Sequence, residues 1–190
     1  MWGGKHSKVN SAQKRAVNAA YEWVGAMITA LLIPVILFAL FIRVVTVEGT
    51  SMNNTLMNND RLVLYCYDTN YEYGDIVVID RHTQSPLIKR VIAVGGDTVE
   101  ITSDARVYRN GELLEESYTL GETERHSVIG TVTVPDGHLF VLGDNRSVSH
   151  DSRSREIGFV PVSDVVGKAI LRVWPLRTFG GLYGNLDDDA

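Results

Sequence analysis

The hydrophobic pattern divides the chain in two. From Trp23 to Ile42 runs an apolar stretch without a charged residue, about 20 residues that at ~1.5 Å each in a helix match a hydrocarbon core near 30 Å. It predicts one transmembrane helix, an anchor over 21–43, and Pro34 inside it marks a point where that helix can kink. Beyond the anchor the period shortens to that of strands. Val44, Val45 and Val47, then Leu62 to Tyr65, Ile76 to Ile79, Ile88 to Val94, Val99 and Ile101, and Leu139 to Leu142 are short apolar or β-branched runs separated by Gly, Pro, Asn and Asp. The fold class that follows is mainly β, over 44–186, with a smaller β subdomain at about 98–134, behind one N-terminal transmembrane helix. Asn110-Gly111 between two strand-like runs predicts a type I′ hairpin turn. Glu115 to Ser127, polar and acidic without a sustained period, reads as a surface excursion, and Asp187 to Asp189 as part of a solvated acidic tail at 187–190.

Charge sets the orientation. Lys5, Lys8, Lys14 and Arg15 precede the anchor with only Glu22 against them, and Arg43 alone follows it. The positive-inside rule places a tail over 1–20 in the cytoplasm and the β domain outside it, in a single-pass protein of the cell membrane. A cleavable signal peptide would need a cut near Val47-Glu48-Gly49, but the apolar stretch exceeds the usual core of about 7 to 15 residues. The formal net charge of −5 and the lack of a basic stripe in the β domain exclude nucleic acid as a partner. Cys66 is the single cysteine, so there is no intramolecular disulfide and no C-x-x-C motif; it reads as a small buried hydrophobe.

Two residue types in this pattern carry chemistry. Ser51 follows the anchor so closely that even an extended chain of ~3.3–3.6 Å per residue keeps it within about 30 Å of the bilayer. Lys89 sits in the apolar run Ile88-Lys89-Arg90-Val91-Ile92, and a lysine becomes a base only where desolvation or neighbouring positive charge lowers its pKa. Strand alternation puts Lys89 with Val91 and Ala93 on one face and Ile88 with Arg90 and Ile92 on the other, so one of the two cations must face inward or towards a cleft. The competing hydrolase reading is a Ser-His-Asp triad through His150 beside Asp151; neighbours in an extended segment point apart, which disfavours it. H-E-x-x-H and paired Cys/His spacings are absent from the sequence, so no metal and no cofactor are implied.

Ser51-Met52, Thr55-Leu56, Gly74-Asp75-Ile76-Val77-Val78, Lys89-Arg90-Val91-Ile92, Gly96-Asp97 and Gly143-Asp144-Asn145-Arg146 followed by Ser149-x-Asp151-Ser152-Arg153 resemble, in order, the motifs of bacterial type I signal peptidases. The resemblance runs from about residue 44 to Lys168. It implies an antiparallel β catalytic domain of the signal-peptidase type, with the smaller β subdomain inserted, and a serine endopeptidase that removes signal peptides at small-x-small sites. It assigns Ser51 as nucleophile and Lys89 as general base. Ser149 then hydrogen-bonds the Lys89 amine, Asp151 pairs with Arg153 to hold this segment, and Asp144, Asn145 and Arg146 build the supporting loop. The implied partners are signal-peptide-bearing preproteins, the lipid bilayer and the protein-export machinery. An alternative is a membrane-anchored β module or a specialised homologue for surface or pilus assembly.

Three positions depart from the family pattern. Asn54 stands where proline is common, so the loop loses a fixed φ. Gly49 replaces a serine that donates to the oxyanion in some members, leaving that work to the Ser51 backbone N–H with Thr50 nearby. Gly95 also replaces a common proline. A membrane-facing surface is expected from Val44, Val45, Val47, Met52, Trp174 and Phe179, apolar groups on a short tether and a late aromatic pair.

Overall fold

The computed structural model describes residues 5–67, 70–82, 84–128 and 130–182. The acidic tail expected at 187–190 lies outside them, as do residues 1–4. The chain divides into two compact units that part after Phe41.

The first unit is one α-helix, α1 (Lys5–Phe41, 37 residues), with Pro34 inside it. It begins well before the apolar stretch, because Ala12, Ala16, Ala19 and Ala20 and the straight-chain Gln13, Lys14 and Arg15 are strong helix formers. Its apolar window, Lys14–Ile36, is 23 residues long with mean hydropathy 1.7. The helix stops short of the expected anchor end. Ile42 and Arg43 already belong to strand β1 (Ile42–Thr46) and pair with Tyr65 and Leu64 of β2 (Arg61–Tyr65), where the β-branched Val44 and Val45 favour the pleat.

In the second unit the described residues form two antiparallel sheets. The larger adds β3 (Ile76–Ile79), β4 (Leu87–Val94), β9 (His138–Leu142), β10 (Val160–Pro161) and β11 (Val165–Trp174) in the order β1-β2-β11-β3-β4-β9-β10. The smaller contains β5 (Thr98–Ile101), β6 (Val107–Arg109), β7 (Glu112–Leu113) and β8 (Thr131–Thr133) in the order β7-β6-β5-β8. Asn110 and Gly111, at φ 53° and 81°, make the β6–β7 turn with both central residues left-handed, as a type I′ turn requires. Central strand β11 is not apparent in the hydrophobic pattern: Gly167, Lys168 and Arg172 interrupt it, and the pairing with β2 shifts register between Ala169 and Leu171 and between Arg172 and Trp174.

All four β3 side chains are buried, Ile76 and Val78 against one cluster and Val77 and Ile79 against another, so the large sheet is covered on both faces. The first cluster holds Val47, Met52, Leu56, Leu62 and Leu64. A third, with Ile92, Ala93, Val99, Ile101, Phe140 and Leu142, joins the small sheet to β4 and β9. Strict alternation in β4 therefore ends at Val91. A register shift against β9 between Val91 and Ala93 lets the adjacent Ile92 and Ala93 enter the same core.

This core removes Val47 and Met52 from the expected membrane-facing surface and turns Val45 inward as well. Val47 and Met52 are each 2% exposed, and each side chain so buried contributes roughly 1.5–3 kcal/mol. Period-two alternation explains the split among the valines: Val45 and Val47 pack inward while Val44 points out. Trp174 and Phe179 are exposed, and Leu176 beside them is 70% exposed. Cys66 is only partly buried, against the first cluster.

Candidate active site

Ser51 opens a tight turn pinned into the core by Met52 and Leu56, whose backbones are joined by a Leu56 N–H to Met52 carbonyl bond of 2.8 Å. Asn54 has φ 76°, a left-handed conformation that asparagine tolerates and proline's ring forbids. A proline at this position could not adopt the conformation that this loop has. Gly49, at φ 88°, donates its N–H to Asn58 Oδ1 at 2.9 Å. Thr50 is exposed, and its carbonyl accepts from Asn145 Nδ2 at 3.1 Å.

Strand β4 brings in Lys89, 1% exposed. Its Nζ donates to Ser51 Oγ at 2.8 Å and to the Ile88 carbonyl at 2.9 Å, both neutral oxygens. Burial pushes the amine down from an ordinary 10.5 to about 8; Asp151 and Asp144 pull it up, and Arg153 and Arg81 oppose them. Strand alternation required one of the adjacent cations to face inward, and the structure buries both, Arg90 as well as Lys89. What allows it is a carboxylate for the guanidinium: Arg90 Nε and Nη2 donate to Asp144 Oδ1 and Oδ2 at 2.9 and 2.7 Å, and Nη1 donates to the Gly74 carbonyl at 2.9 Å.

The second carboxylate near Lys89 is treated in the same way. Arg153 Nε and Nη2 grip Asp151 at 2.8 and 2.9 Å, and the Gly143 N–H donates to Asp151 Oδ2 at 3.1 Å. Burial opposes the charge of Asp151, but Arg153 together with the other donors around it, the Gly143 N–H among them, holds the carboxyl below its usual range. Each buried acid thus has its own arginine, and the lysine is left with hydroxyl and carbonyl partners.

Gly143 sits where no side chain fits: a Cβ there would lie 2.5 Å from the Ser51 carbonyl oxygen and 2.2 Å from Ser149 Oγ. Ser149 itself does not make the expected bond to Lys89. Its Oγ is buried and has no hydrogen-bond partner among the described residues, the lysine's bonds going to Ser51 and Ile88. His150 Nε2 instead lies 3.2 Å from Glu156 Oε2 at the exposed surface, so the triad reading has no geometry.

The acidic excursion is the feature least like its sequence reading. Thr123 is buried and the Glu116 side chain is only 8% exposed, and Arg146 Nη2 and Nη1 donate to the two Glu116 carboxylate oxygens at 2.5 and 2.9 Å, with Nη1 also 2.6 Å from Thr123 Oγ1. Tyr118 stacks on Arg90, whose guanidinium carbon is 4.0 Å from the ring centroid. Burial, then the Glu116 charge, push the Tyr118 hydroxyl well above the usual tyrosine range. Thr55 Oγ1 donates to Asp144 Oδ2 at 2.5 Å, and Arg90, Thr55, Glu116 and Tyr118 are thus supporting residues that sequence reasoning missed. The unpaired run of acids at 115–124 was their visible signal, because arginines buried elsewhere needed counter-charges.

Comparison with known proteins agrees with the motifs. The family described as "Signal peptidase, peptidase S26" matches residues 20–174. Signal peptidase I of Bacillus licheniformis is 34% identical over 172 residues, 84% of this chain and 91% of that protein. Signal peptidase IB of Staphylococcus aureus is 33% identical over 177 residues, 83% and 91% of the two chains. A crystal structure of a signal peptidase I from Enterococcus faecalis, 33% identical, covers 52% of this chain and 96% of that one with a TM-score of 0.43. With its ordered motifs converging on Ser51 and Lys89 and a family match across most of its length, the chain belongs to the signal peptidase family, peptidase S26.

Proposed function

We propose that this signal peptidase works through a Ser51/Lys89 dyad, cutting signal peptides from exported preproteins at small-x-small sites. The observation that carries the reading is the 2.8 Å contact of a buried lysine nitrogen with Ser51 Oγ. With the amine near pKa 8, a useful fraction is neutral at physiological pH. Neutral Lys89 takes the hydroxyl proton as Ser51 Oγ attacks the scissile carbonyl, and the ammonium returns that proton to the leaving amine. Water then attacks the acyl carbonyl as neutral Lys89 takes its proton, and the ammonium returns that proton to Ser51 Oγ as the ester bond breaks and the acid product leaves. The Ser51 backbone N–H is the proposed oxyanion donor, since Gly49 has no side chain to offer.

Ser149 keeps its proposed role in a narrower form. A buried hydroxyl without a partner in an active site calls for an explanation, and orienting the Lys89 amine once the Ser51 proton has moved supplies one. Helix α1 is proposed to anchor the enzyme with its N-terminus in the cytoplasm and the β domain outside, beside emerging preproteins and the export machinery. Domain limits on this reading are a tail at 1–20, an anchor ending at Phe41, the peptidase domain to 186 with its subdomain at about 98–134, and the acidic tail at 187–190. A β module without activity has no need of either dyad residue.

The test is to incubate the detergent-solubilised full chain with a preprotein and sequence the new N-terminus. One cut after a small-x-small triplet, lost in Ser51→Ala, is expected. No cleavage by the parent, or persistent cleavage by Ser51→Ala, rejects the proposal.

A further inference from the structure

The two peptide planes that flank Ser51 are both held by one residue from another element. Asn145 Nδ2 donates to the Thr50 carbonyl at 3.1 Å, and the Asn145 backbone N–H donates to the Ser51 carbonyl at 2.9 Å. Among the described residues the cis peptide bond is Trp174–Pro175, so the Thr50–Ser51 peptide is trans. In a trans peptide the C=O and N–H point in opposite directions across one rigid plane. Fixing the Thr50 oxygen on the Asn145 side therefore aims the Ser51 N–H the other way.

We propose that Asn145 is a positioning residue for the oxyanion site: its side-chain amide fixes the Thr50–Ser51 peptide so that the Ser51 N–H meets the negative charge developing on the substrate carbonyl. The proposal rests on Ser51 being the nucleophile. Asn145 is well placed to act as the fixed point. It is buried, and its neighbours are gripped on both sides by the excursion, through Leu120 N–H to the Asp144 carbonyl and Arg146 N–H to the Leu120 carbonyl, each 2.8 Å. Asp144 and Arg146 are held in turn by Arg90 and Glu116. The Thr50 carbonyl also accepts from the Asn53 N–H at 3.1 Å, but that donor belongs to the nucleophile's own turn and moves with it. Asn145 ties the peptide to the sheet and the small subdomain.

An interaction that orients an oxyanion donor acts in the transition state and leaves ground-state binding alone. Asn145→Ala and Asn145→Asp in the full chain, with parent and Ser51→Ala alongside, separate this from packing. The alanine variant should melt close to the parent and keep KM and the pH midpoint, while kcat falls about 10- to 100-fold, less than the ~10²–10³ for deleting a donor outright. Affinity for a peptide aldehyde, which adds to Ser51 as a tetrahedral adduct, should fall by the same factor, with an uncleavable peptide bound as before. Asn145→Asp keeps the shape without the donor. Compared on the plateau of its own pH profile, it should be as slow as alanine within a few fold. Parental kcat in Asn145→Asp, or a raised KM at unchanged kcat in either variant, overturns the proposal. A parent without activity, or an active Ser51→Ala, removes instead the nucleophile assignment beneath it.

Discussion

Lys89→Met keeps an unbranched side chain in the buried slot and removes an ammonium whose hydrogen-bond partners, Ser51 Oγ and the Ile88 carbonyl, are neutral. Burial lowers the folded pKa from 10.5 to about 8, and at about 1.4 kcal/mol per unit the cationic form costs roughly 3 kcal/mol. The sign follows from proton linkage. Between pH 8 and 10.5 the unfolded chain binds more protons than the folded one, so the lysine's contribution to stability improves as pH rises through that window and is constant below it. Losing the two hydrogen bonds, at about 1 kcal/mol each, costs the variant about 2 kcal/mol at every pH. Lys89→Met should therefore be more stable than the parent by about 1 kcal/mol at pH 7, and less stable by about 2 kcal/mol above pH 10.5. For a chain of this size that swing is roughly 6–12 °C in the difference between melting temperatures. Thermal unfolding of both proteins in the same detergent across that range measures it, tyrosine titration being common to the two. Parallel stability profiles would refute the claim that Lys89 is a destabilised, burial-shifted amine.

Gly143→Ala should lower activity at least 100-fold and destabilise by about 1–3 kcal/mol, the range for overpacking, because its Cβ would collide with the Ser51 carbonyl and Ser149 Oγ; steady-state kinetics and a melt report both. Asp144→Ala strands the Arg90 guanidinium in the core, and a loss of about 3–5 kcal/mol by urea unfolding is expected. Ser149→Ala should reduce turnover roughly 10- to 100-fold, by analogy with lost support of metal ligands, while melting close to the parental temperature. In a domain beginning at Ile42, serine at Trp174, Leu176 and Phe179 together should abolish flotation with lipid vesicles, whereas Met52→Ala should lower stability instead, that side chain being in the core.

The residues proposed to carry the chemistry were legible in the sequence for different reasons. Lys89 is a cation in a strand otherwise fit for a core, whereas Ser51, an ordinary loop serine taken alone, stood out by its closeness to the anchor and by the ordered motifs around it. What the sequence could not convey was which buried charge answers which. Arg90 and Asp144 are separated by 54 residues and Arg146 and Glu116 by 30, and neither pair has a periodicity that announces it. Strand β11 was hidden for a related reason: Lys168 and Arg172 interrupt its apolar pattern, yet both are held in ion pairs with Asp75 and Asp60. Val45, Val47 and Met52 were expected at the membrane as apolar groups on a short tether. Alternation along β1, continued into Val47, and the turn after Ser51 send them towards the core instead.

The pH dependence of single-turnover cleavage by the parent and by Lys89→Arg tests the dyad most directly. The parental rate should rise about tenfold per pH unit at low pH and level off around a midpoint near 8, the pKa of the buried Lys89 amine. Lys89→Arg should be inactive throughout, since a guanidinium does not give up its proton in this range. A rate independent of pH between 6 and 9, or a Lys89→Arg variant that still cleaves, would contradict the dyad.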